Sequence, residues 1–320
     1  WCWPASPEYW AASASPRSVY HRNIVFQSPG AAAALLLTAS LLPRAAALEC
    51  GNQAAATRIW RIQGEGAASP IEGQVVEAEG VVTGSFQGAA ALSGFFLQEE
   101  AAGADGNPAT SDGIFVFAPG ARSVRVGDVV RVKGTVAEYA SSGSRLTQIA
   151  AVTDLKVCAQ GAPIEPAAVP LPLPDGQDWE RYEGMLVRIQ SAGPLVVTGN
   201  YDLGRFGSVE VAPRRLFAPT QQVLPGEEAR ERALWNARAK LVLDDGSSAA
   251  NANLYPTAYP EGGLRADRTL RVGDHLAAPL EGVLDDRFGA YRLHPVAPVA
   301  FLAANPRPPA PPEVGGRFRA

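Results

Sequence analysis

Two short segments place aromatic side chains beside arginines. Asn200–Gly207 contains Tyr201, Arg205 and Phe206, and a second segment holds Arg287, Phe288, Tyr291 and Arg292. Aromatic faces stack on bases of any sequence, while arginines neutralise the phosphate backbone. These segments therefore predict a surface for single-stranded nucleic acid. Further candidates, in the first half of the chain, are Phe86, Arg131, Lys133, Tyr139 and Arg145. The alternative is that the aromatics fill barrel interiors and the arginines face solvent.

A loop rich in oxygen ligands follows one of the predicted strands. It contains Glu99, Glu100, Asp105 and Asp112. Carboxylates of this kind suit Ca²⁺, which makes the loop a candidate ion site. The spacing differs from that of an EF-hand, and the alternative is a solvated acidic loop.

Catalytic patterns are missing from the sequence. Metal-dependent hydrolysis of phosphodiesters needs clustered carboxylates and usually a histidine, yet only His275 and His294 lie beyond the N-terminal 47 residues. The sequence contains no Gly-x-Ser-x-Gly, His-Glu-x-x-His or P-loop pattern. We therefore expect no complete catalytic site and no cofactor in this chain, although enzymatic activity stays an open question.

The composition favours a folded protein over a generally basic nucleic-acid binder. The 320 residues are 47% hydrophobic and 19% charged, with a formal net charge of −4. Contact with nucleic acid would therefore have to come from a local patch. The 32 glycines and 27 prolines indicate many short elements separated by turns.

The elements that must position these side chains are strands. Alternating apolar runs between Gln74 and Val157 predict five strands, for which a five-stranded Greek-key barrel, the OB-fold, is the economical closure. The segment Arg125-Val126-Gly127-Asp128-Val129 recurs as Arg271-Val272-Gly273-Asp274-His275, which indicates an internal repeat. We therefore predict an all-β protein of two tandem OB-like five-stranded barrels. The second barrel carries insertions, among them a short helix over Gly226–Lys240.

The predicted organisation has five parts. They are a leader over residues 1–47, a first barrel over 58–158, a proline-rich linker over 159–178, a second barrel over 179–302 and a proline-rich tail over 303–320. The leader contains an apolar run too short to span a bilayer, followed by Ala45-Ala46-Ala47, which is typical of a signal peptide. A buried helix is the alternative. We therefore expect a secreted protein with no membrane span.

Two cysteines, Cys50 and Cys158, bracket the first predicted barrel. In an exported chain this arrangement favours one disulfide, the alternative being two unpaired thiols.

Several ordered segments resemble the N-terminal half of secreted bacterial nucleases of the ExeM/NucH type. They include Gly94–Glu100, Asn107–Val116, Arg181–Met185, Asn200–Gly207, Leu243–Ser248 and Arg287–Leu293. The resemblance implies an OB-like region that precedes a DNase-I-like domain requiring Mg²⁺ or Ca²⁺. This chain ends where that domain is expected to begin, so its catalytic residues cannot be assigned here.

The resemblance leads to two hypotheses. In the first, this is a non-catalytic region of a secreted nuclease that weakly binds DNA or another nucleic acid for a covalently linked downstream domain. In the second, it is an exported protein-interaction or spacer module that binds no nucleic acid.

Overall fold

The computed structural model describes residues 48–52, 54–251 and 269–310, together with positions 313 and 315. The predicted leader lies outside the described residues, as does most of the tail beyond residue 310. Within the described part of the chain, no helix has the length and apolar character needed to cross a membrane.

The first unit is a closed five-stranded barrel, as the sequence predicts. Its strands are β1 (Val75–Phe86), β2 (Gly94–Gln98), β3 (Gly113–Phe117), β4 (Val129–Ser141) and β5 (Ser144–Ala159), arranged in the order β1-β2-β3-β5-β4. Alternate apolar residues fill the interior, and the short helix α1 (Ile59–Gln63) adds Ile59 and Ile62 to the same core. Gly80 lies where β1 crosses β2 closely: a Cβ there would sit 2.7 Å from the carbonyl oxygen of Gln98.

The predicted disulfide between Cys50 and Cys158 is confirmed. It ties the segment before α1 to the end of β5. Lys156 reinforces this attachment by donating a hydrogen bond from Nζ to the carbonyl of Leu48.

The second unit is a curled sheet of nine strands, so the all-β prediction holds for both units. Its strands are β6 (Ala167–Pro170), β7 (Leu186–Gln190), β8 (Val196–Gly199), β9 (Val209–Ala212), β10 (Leu241–Leu243), β11 (His275–Leu276), β12 (Glu281–Arg287), β13 (Ala290–Pro295) and β14 (Phe301–Leu302). Two helices accompany them, α2 (Leu203–Phe206) and α3 (Glu227–Ala239). Helix α3 corresponds to the helix predicted over Gly226–Lys240.

The sheet order in the second unit repeats that of the first. The run β8-β9-β10-β13-β12 corresponds to β1-β2-β3-β5-β4, and in each unit the third and fifth strands pair in parallel. Two strands of the first barrel correspond to pairs of shorter strands in the second unit: β7 and β8 take the place of β1, and β12 and β11 take the place of β4. Between these shorter strands, backbone hydrogen bonds run from Leu276 N to Leu195 O and from Ile189 N to Leu280 O. The second unit is thus an OB-like barrel opened by two broken strands rather than a five-stranded closed one.

The two Val-Gly-Asp turns have the same hydrogen-bonding pattern. Asp128 Oδ2 accepts a hydrogen bond from Arg125 N at 2.9 Å, and Asp274 Oδ2 accepts one from Arg271 N at 2.8 Å. The glycines have φ of +87° and +100°, angles that favour glycine. The internal repeat predicted from this motif is confirmed at the level of individual hydrogen bonds.

The proline-rich segment over residues 159–178 contains more structure than a linker. Strand β6 lies within it and pairs in parallel with β7. Leu171 and Leu173, immediately after β6, are buried in the core of the second unit.

Candidate functional site

The two units pack against each other through one face of the first barrel. Phe96 of β2 and Phe115 of β3 point outward from that barrel and are fully buried against Val283 of β12. Phe86 and Tyr139 border the same apolar cluster. The second and third strands form the ligand-binding face of OB-folds. In the first barrel this face is therefore occupied by the second unit.

Charged side chains of the second unit meet these aromatic rings. Arg287 lies over the rings of Phe115 and Tyr139, at 4.4 and 5.0 Å from their centroids. His294 lies beside Phe86, with ring centroids 5.2 Å apart. Both cations have acidic partners: Asp285 Oδ2 accepts from Arg287 Nε at 2.6 Å and lies 3.0 Å from His294 Nε2.

We call the contact of the second unit with Phe96 and Phe115 the joint. Its histidine, His294, keeps its proton to a higher pH than an ordinary histidine. Burial alone disfavours the charged ring, but Asp244 and Asp285 outweigh burial and raise the pKa of His294 to about 9. The same contacts lower the pKa of Asp244, although burial acts in the opposite direction. His294 is fully buried, so its ring is closed to solvent.

The segment Arg181–Met185 forms the closest contact between the units. A Cβ on Gly184 would lie 2.6 Å from the backbone nitrogen of Ile114, and a Cβ on Gly113 would lie 2.2 Å from the carbonyl carbon of Gly184. Ser111 donates a hydrogen bond to the Glu183 carbonyl, and Thr147 N donates to the Glu183 carboxylate. Burial raises the pKa of Glu183 well above its usual value. Several of the segments that carry the nuclease resemblance thus converge on the joint.

Several predicted nucleic-acid contacts are buried or engaged by other side chains. Arg287 is buried over the half-buried ring of Tyr139, and the half-buried Tyr291 donates from its hydroxyl to Glu180. Arg131 is fully buried and pairs with Glu77 at 3.1 Å.

Lys133 and Arg145 also have acidic partners. Lys133 shares Glu77 with Arg131, and Arg145 faces Glu138 at 3.6 Å. The expectation of a binding surface on the first barrel is therefore not supported by the positions of these side chains.

The acidic loop does not gather its carboxylates into one place. Glu99 is buried and its carboxylate is bound by Arg58 and by the backbone of Ile59. Glu100 is exposed, Asp105 accepts from Thr110, and the pKa of Asp112 is raised by burial. Within the described ranges, no group of three or more His, Cys, Asp or Glu side chains is placed to hold a metal ion.

The remaining predicted residues lie in or beside a groove on the second unit. Tyr201, Arg205 and Phe206 lie in the connection between β8 and β9, and Phe288 in the two-residue turn between β12 and β13. In an OB-fold these two connections, between the first and second and between the fourth and fifth strands, bind oligonucleotides and oligosaccharides. The groove, as we call it below, is lined here by Asp202, Phe206, Ser208, Asp244, Ser247, Ser248, Phe288 and Arg292.

The groove presents aromatic faces next to cations. Tyr201 is 96%, Phe288 56% and Phe206 47% exposed. Arg205 lies over the ring of Phe206 and Arg292 over that of Phe288, each at 4.9 Å. A cavity of about 480 Å³ lies between them, within the range of small-molecule sites.

Phe288 holds an unfavourable backbone conformation at the tip of its turn. Its φ is +56° and that of Gly289 is +83°, as in a type I′ hairpin, where Asn-Gly is the preferred pair. The equivalent turn of the first barrel has Ser142 in this place, with φ of +51°. An exposed phenylalanine kept in a left-handed conformation suggests a requirement for its ring.

Acidic side chains lie next to the cations of the groove. Asp244 Oδ2 accepts from Arg292 Nη1 at 2.5 Å, and Lys240 Nζ lies 2.7 Å from Glu210 Oε1. Burial raises the pKa of Asp245 to about 6, and Asp202 is exposed at the rim. These carboxylates therefore offset part of the positive charge of the groove.

Sequence reasoning did not single out the serines of the groove. Ser247 and Ser248 follow the Leu243–Gly246 segment, and both donate hydrogen bonds to the connection between β1 and β2. The Gly-Ser-Ser run was a signal of a turn, but its position beside Phe206 depends on the packing of the two units.

The fold and the groove define a class: an all-β protein of two OB-like units, of which the second has an open groove. A family model described as "Domain of unknown function (DUF8508)" matches residues 147–303, which covers the second unit and the final strand of the first. No curated protein matches the chain.

Proposed function

We propose that this chain is a non-catalytic module that binds single-stranded nucleic acid in the groove of the second unit. The observation that carries the proposal is the meeting of two connections, residues 200–208 and Phe288–Gly289, at one open OB face. They bring together the exposed rings of Tyr201, Phe206 and Phe288; the exposed Arg205 stacks on Phe206, and the largely buried Arg292 stacks on Phe288. Bases can stack on such rings while arginines contact the backbone.

The proposal includes a place in a larger protein. The resemblance to secreted nucleases supports a role as the region that retains nucleic acid for a linked metal-dependent phosphodiesterase domain. The Cys50–Cys158 disulfide supports export, because disulfides persist mainly in oxidising compartments. In this role the catalytic metal, Mg²⁺ or Ca²⁺, belongs to the linked domain.

The proposal is tested by fluorescence anisotropy with a labelled thymidine oligonucleotide at increasing salt. We expect weak binding whose affinity falls as salt rises, because each neutralised phosphate releases counterions. Phe206→Ala should weaken binding with the salt slope nearly intact. Arg205→Ala should flatten the slope.

Matched controls lie on the first barrel. Phe117→Ala removes a partly exposed ring at the end of β3, and Arg61→Ala removes an exposed cation on α1. Neither should change affinity. If the wild-type chain does not bind the oligonucleotide even at low salt, the protein-interaction or spacer module becomes the better account.

A further inference from the structure

The groove does not end at the two OB connections. Beyond Phe288 and Arg292 it continues across the outer face of β9 and β10, where Glu210, Val242 and Lys240 line its floor. A further cavity opens past Glu210 and Lys240 and is walled by Thr198, Leu216, Phe217, Pro219, Asn236 and Lys240. The two cavities share Glu210 and Lys240, so they adjoin at the ion pair that these two side chains form.

The far wall is supplied by an insertion peculiar to the second unit. The connection between β9 and β10 contains a 3₁₀ turn (Pro219–Gln221) and α3, whereas the equivalent connection of the first barrel, residues 99–112, has neither. Leu216 N donates to Thr198 Oγ1 at 2.7 Å, which fixes the insertion against β8. Asn236 of α3 donates to the Phe217 carbonyl at 2.9 Å.

This wall repeats the chemistry of the groove. Phe217 is 40% exposed, and Arg215 lies over its ring at 4.9 Å, the same pairing as Arg205 with Phe206. Lys240 is 42% exposed and stands between the two aromatic positions. A strand with bases at both positions would pass the Lys240–Glu210 ion pair on its way.

We propose that the insertion between β9 and β10 forms a second base-stacking subsite, centred on Phe217. The ligand is then a single strand long enough to occupy both subsites, not a mononucleotide or dinucleotide. This inference rests on the function proposed above and specifies its substrate class. Single OB folds cover about 4–16 nucleotides, which is compatible with two adjoining subsites.

The test compares thymidine oligonucleotides of roughly 3 and roughly 12 nucleotides, lengths below and within that range. Wild-type protein should bind the longer strand more tightly. Phe217→Ala should weaken the longer strand at least about fivefold, the equivalent of ~1 kcal/mol for one stacked base, and leave the short strand unchanged. Phe206→Ala should weaken both strands.

Two controls separate stacking from folding and from charge. Leu234→Ala removes an exposed side chain of α3 that does not line the groove, and it should leave both affinities unchanged. A 12-mer without bases should bind both wild type and Phe217→Ala equally weakly, because it offers no ring to stack.

The outcomes are distinguishable. Short strands that bind wild type with no gain from length, or a Phe217→Ala variant that keeps the full gain, would overturn the second subsite and leave the proposed function standing. Failure of wild type to bind either strand overturns both. An abasic 12-mer that binds wild type as tightly as the thymidine 12-mer would assign the insertion to charge rather than stacking and likewise overturn the subsite.

Discussion

At the scale of single residues, a substitution of Phe288 should affect stability and binding differently. Replacing it by asparagine suits the left-handed angle, which costs other residues ~1–2 kcal/mol, but loses the stack with Arg292, worth ~0.5–1 kcal/mol. We expect the free energy of unfolding of Phe288→Asn, measured in urea, to lie within about 1 kcal/mol of the wild-type value. Its affinity for a single strand should fall about fivefold or more.

Ser142→Asn is the matched control, because Ser142 holds the same position in the equivalent turn of the first barrel. This variant should keep full affinity. A Phe288→Asn protein that is stable and binds like wild type would remove Phe288 from the site.

Gly184 makes a second prediction at this scale. An alanine at this position would have an unfavourable φ of +75°, and its Cβ would lie too close to the backbone of Ile114. Gly176 has nearly the same φ, +73°, with nothing within 4 Å of its Cβ position. Both alanine variants should lose ~1–2 kcal/mol from backbone strain, and Gly184→Ala should lose more because the units must separate. Equal losses in urea titrations would show that the contact with Ile114 yields easily.

At the scale of elements, the disulfide closes a long loop around the first barrel. Its cysteines are 108 residues apart, and the chain-entropy relation gives about 4–5 kcal/mol for a loop of that size. Replacing Cys50 and Cys158 together by serine should lower the urea midpoint accordingly. Reducing agent should destabilise the wild type and leave the double variant unchanged; a wild type indifferent to reductant would contradict the expected contribution.

The elements also show what sequence patterns can predict. The first barrel, α3, the Val-Gly-Asp turns and the disulfide follow from local alternation, spacing and turn chemistry, and each was predictable. The different burial of Arg287 and Phe288 was not predictable. The two are adjacent in sequence, yet one is buried on Phe115 and the other exposed in the groove, because their side chains point to opposite sides of a strand end packed against another unit.

At the scale of the whole molecule, the joint should respond to alkaline pH. His294 has its pKa raised to about 9 from an ordinary value near 6.5. The stability this provides is complete below pH 6.5 and is lost as pH rises through 9, up to about 3 kcal/mol in total. Chemical unfolding between pH 6 and 10 should show that loss, and His294→Gln should abolish the slope while lowering stability at neutral pH.

His275→Gln is the control, since this half-buried histidine of β11 lies outside the joint's acidic cluster. It should preserve the pH slope. An unchanged slope in His294→Gln would place the titrating group elsewhere.

The burial of Phe96 and Phe115 by the second unit bears on valency. Two copies of a nucleic-acid fold in one chain would ordinarily gain affinity by avidity, since the second contact becomes intramolecular. Here the face of one copy is covered by the other, with Arg287 and His294 on its aromatic rings where a ligand of an OB-fold would lie. Under the proposed function the duplication therefore leaves one open binding face, and the first barrel supports the unit that carries it.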